Sequence, residues 1–237
     1  MNLSDWQKNW NELGKDDPLW VVLTESSKKG GRWDPVEFFD LGVKEITQVL
    51  AEAATLNVPL RKGRALDFGC GVGRLSQALA MHFDQVHGVD ISPSMVGHAN
   101  RLSRFPEKCQ YHINAEEHLG LFPDNHFDFV YSNITLQHIE QRFAKAYIAD
   151  FLRVAKPGGI IVFQVLNPAF PRSLVPEFLV RMWRRLKHRG KPYIGIFGFR
   201  DGEIDSLCEA NGGKILRIEK TNSDDSRWLS RRYFVTK

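Results

Sequence analysis

Cysteine is scarce. Cys70, Cys109 and Cys208 are odd in number and far apart in 237 residues. That pattern excludes a disulfide framework and a zinc site with paired-cysteine spacing, and it suits a reducing, cytoplasmic setting. His82, His87, His98, His112, His118 and His126 are scattered without ligand spacing, so no metal is expected. No stretch approaches the roughly 18 uninterrupted apolar residues that cross a bilayer, so no transmembrane segment is expected. The opening MNLSDWQKNWNELGKDD is polar and lacks the apolar centre of a secretory signal. Internal repeats and low-complexity tracts are missing. Neither sign of charge dominates: 32 Lys and Arg against 28 Asp and Glu leave +4. That excess is compatible with an anionic small molecule and far below that of a nucleic-acid-binding domain.

What is present is ordinary globular material, 43% hydrophobic and 25% charged, long enough for one α/β domain with an insertion. A helix is expected near the start. A second runs from about Pro35 to Leu56, with Asp34 as cap and Pro35 just inside. From Arg64 the pattern alternates. RALDFG, QVHGVD, QYHINA, DFVYSN and GIIVFQVL read as strands. RLSQALAMHF, SPSMVGHANRLSRF and Phe143 to Val154 read as helices, the last stopping at the KPGG turn (Lys156 to Gly159). Such alternation predicts right-handed crossovers and a doubly wound, mostly parallel sheet. After Leu166 the alternation breaks. Asp201 to Ala210 looks helical, and KILRIEKT and RRYFVTK read as an antiparallel pair at one end of the sheet.

The stretch DFGCGVGR (Asp67 to Arg74) sits between the first strand and its helix. Glycine at every second position is costly in backbone freedom, so something must approach this turn closely. In a doubly wound sheet, ligands bind beyond the carboxyl ends of the strands. Asp90, about 20 residues on at the end of the second strand, is placed to accept both hydroxyls of a ribose. The dinucleotide fingerprint G-x-G-x-x-G needs a small sixth residue, and Arg74 stands there. A phosphate P-loop needs G-x-x-x-x-G-K-[ST], which is missing.

ALDFGCGVGRLSQAL resembles the first motif of class I S-adenosylmethionine (SAM) dependent methyltransferases. VHGVDIS with SPSM resembles their second, NAEEHLGLFPDNHFDFVYSNITLQHI their third and fourth, and VAKPGGIIVF the approach to their fifth strand. The resemblance spans roughly Arg64 to Val165 in the family's order and spacing. It implies a Rossmann-like fold of seven strands, mostly parallel, with an antiparallel C-terminal strand. It implies that SAM is the cofactor and S-adenosylhomocysteine the product. By the same resemblance, Asp67 holds the methionine amino group, directly or through water, and Gly69, Cys70 and Gly71 line the methionine part. Asp90 takes the ribose hydroxyls, with Ile91 and Met95 packing on adenine or ribose. Ala115 and Glu116 lie by the adenine amino group, and Asn133 lies near the methyl donor. Asn114 departs from the Asp that many relatives carry.

His138 follows the fourth strand, where a methyl acceptor would sit; it is a candidate general base. Cys70 reads as a packing residue, since no base can be placed beside it. Asn167-Pro168-Ala169-Phe170 follows the fifth strand rather than the fourth and reads as a loop. The basic run Arg181 to Lys191 suits either an anion-gripping patch or the solvated face of a helix. Trp33, Phe38 and Phe39 are candidates for a lid, and Tyr193, Phe197 and Phe199 for an acceptor pocket; core packing explains them equally well. The expected organisation is residues 1–60 as an N-terminal helical cap and 61–237 as the SAM-binding part, with 167–200 shaping the substrate side. The expected reaction is methyl transfer to O or N, less readily C, of a small molecule, with no nucleic-acid partner. The rivals are an RNA or protein methyltransferase docking through 181–191, a non-catalytic SAM-binding protein, and a nicotinamide-dependent dehydrogenase.

Overall fold

The computed structural model describes residues 3–168, 194–221 and 227–237. The basic run 181–191, Tyr193 and most of the expected insertion lie outside the described residues. The chain opens with α1 (Leu3–Asp16), α2 (Pro18–Val22) and α3 (Pro35–Ala54). The start of α3 follows from its sequence: Asp34 accepts the Glu37 amide at 2.9 Å, and Pro35 occupies the first turn, where no N–H is needed. The alternation then runs β1 (Arg64–Phe68), α4 (Arg74–Ala80), β2 (Gln85–Asp90), α5 (Pro93–Leu102), β3 (Cys109–Ile113) and β4 (Phe127–Ser132). It continues with α6 (Gln141–Val154), β5 (Ala155–Pro168), α7 (Glu203–Ala210), β6 (Lys214–Thr221) and β7 (Trp228–Thr236).

These strands form one seven-stranded sheet in the order β3-β2-β1-β4-β5-β7-β6. β1 to β5 are mutually parallel. β7 runs antiparallel to both β5 and β6, so it is the reversed strand expected at the C-terminus. The direction of winding changes between β1 and β4, which fixes where a ligand crevice opens.

Burial follows the strand period of two. Leu66, Phe68, Val130, Ile161, Phe163 and Val165 face one layer, packed by Phe143, Tyr147 and Phe151 of α6 and Ile204 of α7. Ala65, Phe129, Tyr131, Ile160 and Val162 face the other, packed by Ile46 and Val49 of α3 and Leu75 and Leu79 of α4. A third cluster joins Val21, Trp33, Phe38, Phe39, Val72 and Met95.

Two local features depart from the sequence reading. Lys156 to Gly159 is a bulge inside one long strand rather than a turn before it. The β4–β5 register slips between Phe127 and Phe129, with Gly158 at φ +72° absorbing the extra backbone. Between β3 and β4 the chain crosses without a helix. Residues of α6 hold that crossover: Asp150 accepts the Leu119 amide at 2.7 Å, and Arg153 donates to the Leu119 and Phe122 carbonyls.

Candidate active site

The glycine turn follows β1 directly. The Gly69 and Cys70 amides both donate to the Val89 carbonyl, at 2.8 and 3.0 Å, which ties the turn to the end of β2. Gly69 and Gly71 hold φ of +79° and +52°, in the left-handed region that L side chains avoid. Side chains close in from outside as well. A Cβ on Gly69 would overlap Thr135, and one on Gly71 would lie 2.8 Å from a Val22 methyl. The bare turn is therefore demanded by α2 and by the loop after β4, and it brings backbone without side chains to the crevice wall.

That crevice encloses about 1070 Å³, open solvent at its mouth included. Its walls include Gly69, Cys70, Gly71, Asp90, Ile91, Met95, Asn133 and His138, all expected from the sequence. Asp90 Oδ2 accepts the Gly71 amide at 2.9 Å and Oδ1 the Ser92 amide at 2.8 Å. One carboxylate thus braces the glycine turn and the start of α5. Each oxygen keeps a further lone pair, which is the capacity a vicinal diol needs. Burial raises the Asp90 pKa from its ordinary range, opposed by those amides.

Three expected residues are placed elsewhere. Asp67 is 1% exposed and does not line the crevice. Phe68 faces the crevice, so Asp67, one position back, points to the opposite side of the sheet. There it accepts Ser76 Oγ at 2.6 Å, and burial pushes its pKa up to about 7. Ala115 and Glu116 also stand off the wall; Asn114 is the residue of that segment that lines it. The Glu116 carbonyl instead accepts from Asn114 Nδ2 and the Tyr147 hydroxyl, which folds the segment back on α6.

Beyond β4 the wall is built from side chains. Asn133 Nδ2 donates to Glu45 Oε1 at 2.7 Å; the same oxygen accepts the Tyr131 hydroxyl at 2.8 Å, and Oε2 pairs with Arg74 at 2.9 Å. Glu45 on α3 therefore joins β4, its loop and the first residue of α4. Arg74, the cation that broke the dinucleotide pattern, is 4% exposed, lines the crevice, and has its Nε buried without a partner. His138 Nδ1 lies 2.7 Å from the Gly195 carbonyl, and its ring meets Trp10 edge to face at 5.6 Å. Burial lowers its pKa from the ordinary histidine value.

The roof is α1 and α2. Leu3, Trp6, Trp10, Val21 and Val22 line the crevice. Asn11 accepts the Ser94 amide at 2.9 Å, and Ser94 Oγ donates back to the Asn11 carbonyl at 3.0 Å, so α1 is fastened to the start of α5. Of the two readings open for Trp33, Phe38 and Phe39, lid or core packing, the structure shows core packing beneath the roof. Phe199 is core too, and Phe197 packs edge-on against Trp6 at 5.8 Å; neither lines the crevice. The signal for the true roof was Trp6 and Trp10, four apart on an otherwise polar helix. Burial raises the Cys70 pKa well above the ordinary thiol value, as befits packing rather than attack. Of the scattered histidines, His87 and His112 stack at 5.2 Å beside Phe122, away from the crevice, and burial lowers His87 to about 4. Among the described residues, no three His, Cys, Asp or Glu side chains converge as a metal site would.

A doubly wound sheet, a bare turn after β1 and a carboxylate closing β2 define a class I, Rossmann-like nucleoside-binding fold. Residues 66–163 match the family model described as "Methyltransferase domain". The chain is 28% identical over 193 residues to the ubiquinone biosynthesis O-methyltransferase of Azoarcus sp. (strain BH72), covering 78% of each. It is 29% identical over 178 residues to the enzyme of that name from Xanthomonas oryzae pv. oryzae (strain PXO99A), covering 73% of each. Among solved structures, the magnesium protoporphyrin IX methyltransferase of Synechocystis PCC 6803 with bound SAH superposes with a TM-score of 0.65. It is 20% identical, with 99% of both chains covered. The matched domain and the relatives support a SAM-dependent methyltransferase, and the fold is the class I, Rossmann-like one.

Proposed function

We propose that the protein methylates an oxygen of a small-molecule acceptor and releases S-adenosylhomocysteine. The observation that carries this reading is the crevice, whose wall brings together the glycine turn, Asp90 and His138. The O-methyltransferase names of the sequence relatives favour oxygen over nitrogen or carbon.

The residues present fit the cofactor. In this reading Asp90 accepts the ribose hydroxyls, while Ile91 and Met95 supply an apolar face for adenine or ribose. Asn114 borders the base, in place of the Ala115 and Glu116 first expected there. The backbone of Gly69, Cys70 and Gly71, its amides held by Val89 and Asp90, borders the methionine part, and Arg74 on the crevice wall supplies positive charge for its carboxylate. Asp67 acts from behind the turn, through water. Bound SAM supplies an electrophilic methyl group. The protein's own task is to align the acceptor and exclude water. Asn133 is held by Glu45 beside the acceptor, and Trp6 and Trp10 shut out solvent. His138 takes the proton of an acceptor that arrives as a hydroxyl.

The chain works in this reading as one domain, with 1–60 as cap, 61–237 as the SAM-binding part and 167–200 shaping the acceptor side. No described helix is long and apolar enough to cross a membrane, and we place the enzyme in the cytoplasm. The fold alone does not dictate methyl transfer, since a [4+2]-cyclase superposes with a TM-score of 0.61 at 19% identity. Incubation with SAM and a panel of hydroxylated small molecules tests the reading. Stoichiometric S-adenosylhomocysteine and methyl ether are expected. Tight SAM binding with no turnover on hydroxyl, amine or carbon acceptors would leave a binding protein instead.

A further inference from the structure

The β4 loop carries a chain of hydrogen bonds whose polarity is set at both ends. At one end the Ile134 amide donates to Gln164 Oε1 at 3.2 Å. A backbone N–H can only donate, so this contact fixes which way the Gln164 amide faces. Gln164 Nε2 then donates to Gln137 Oε1 at 3.1 Å and to Ser230 Oγ at 3.0 Å. With its oxygen used, Gln137 presents Nε2 to His138 Nε2 at 3.0 Å. At the other end His138 Nδ1 meets the Gly195 carbonyl at 2.7 Å. A carbonyl can only accept, so Nδ1 must carry the hydrogen. Both ends independently demand the same tautomer. The backbone at Ile134 marks the site again: a β-branched residue held at φ +57°, 38% exposed, on the crevice wall.

The geometry points to Gln164 and Gln137 as positioning residues that hold His138 neutral, with its hydrogen on Nδ1 and the lone pair on Nε2. This rests on the methyl-transfer reading only for its catalytic consequence. There, the acceptor O–H replaces the Gln137 N–H at Nε2. The O–H bond breaks, Nε2–H forms with the ring's lone pair, and the imidazolium passes the proton to water. While His138 is protonated, the Gln137 amide opposes Nε2–H and cannot turn without losing Gln164. The relay therefore keeps the base unprotonated at rest and hastens its reset. Among the described residues no charged side chain faces the ring. α1 presents Trp10, the turn Leu136–His138 presents Gln137, and residues 194–200 present the Gly195 carbonyl.

Long-range nitrogen–proton spectra of ¹⁵N-histidine-labelled protein, without cofactor, read the tautomer directly. The wild type should show His138 neutral, with the Nδ1–H pattern, at pH 7. Gln164→Glu keeps the acceptor for Ile134 but cannot donate to Gln137, so the Gln137 amide turns and offers Oε1 to His138. His138 should then titrate at least one pH unit higher, and the acid limb of the kcat profile should move with it, while SAM affinity stays within twofold. Should Gln164→Glu not fold, Gln137→Leu removes the opposing N–H and should move the same signal upward by a smaller step. An Nε2–H pattern in the wild type, or a titration unmoved in whichever variant folds, overturns the relay. Failure to bind SAM would overturn the functional reading and leave the spectra to decide the relay.

Discussion

The two walls of the crevice are made differently. The β1–β2 wall is mostly backbone: a bare turn, two amides on one carbonyl, and one carboxylate that braces its neighbours. The β4–β5 wall is side chain: Asn133 on Glu45, His138 on Gln137, Gln137 on Gln164. A backbone wall tolerates almost no substitution and recognises one ligand shape. A side-chain wall can be rebuilt residue by residue, which is where acceptor specificity can vary over a fixed cofactor site.

Substitution at Gly71 breaks the backbone wall outright. Gly71→Val places a β-branched residue at φ +52° against Val22, and calorimetry should find no SAM binding. A pH test probes the layer behind the turn. Asp67 is pushed to about 7 when folded, from 3.8. The folded state thus holds this proton more firmly than the unfolded chain, so the stability that Asp67 contributes is fully present below about pH 4 and is lost as pH rises through 7. The full loss is roughly 4 kcal/mol. Denaturant titrations across that window should show the slope, and Asp67→Asn should flatten it while keeping an acceptor for Ser76.

Glu45→Ala removes the hub of the side-chain wall. It leaves Arg74 buried without its partner, which should cost about 3 kcal/mol of stability, and kcat should fall because Asn133 loses its anchor. Asp90→Ala should weaken SAM binding by about 1–3 kcal/mol, read as the ratio of dissociation constants. The smallest effect is expected at Cys70, where Cys70→Ala should leave kcat within about threefold.

The contrast between the walls also explains what the sequence could tell. The glycine turn and Asp90 are legible because both are local: a few residues carry the turn, and strand period and spacing carry the carboxylate. The roof was half legible. The sequence points to an N-terminal helical cap but leaves Trp33, Phe38 and Phe39 open between lid and core and does not single out Trp6 and Trp10, because aromatic content alone cannot say which face is covered. For Asp67 the resemblance leaves direct and water-mediated contact open, and strand alternation, which turns it away from the face of Phe68, disfavours the direct one. The Glu45–Asn133 and Gln137–Gln164 pairs join residues 88 and 27 positions apart. No periodicity signals such contacts; they exist only once α3 and β5 have packed against β4.

The most direct test is a crystal structure of the protein grown with S-adenosylhomocysteine. The account predicts both ribose hydroxyls on Asp90, the amino-acid end along Gly69 to Gly71, and the sulfur facing the side of the crevice that holds Asn133 and His138. A nucleoside lying the other way round, or a crevice that stays empty at saturating ligand, would contradict it.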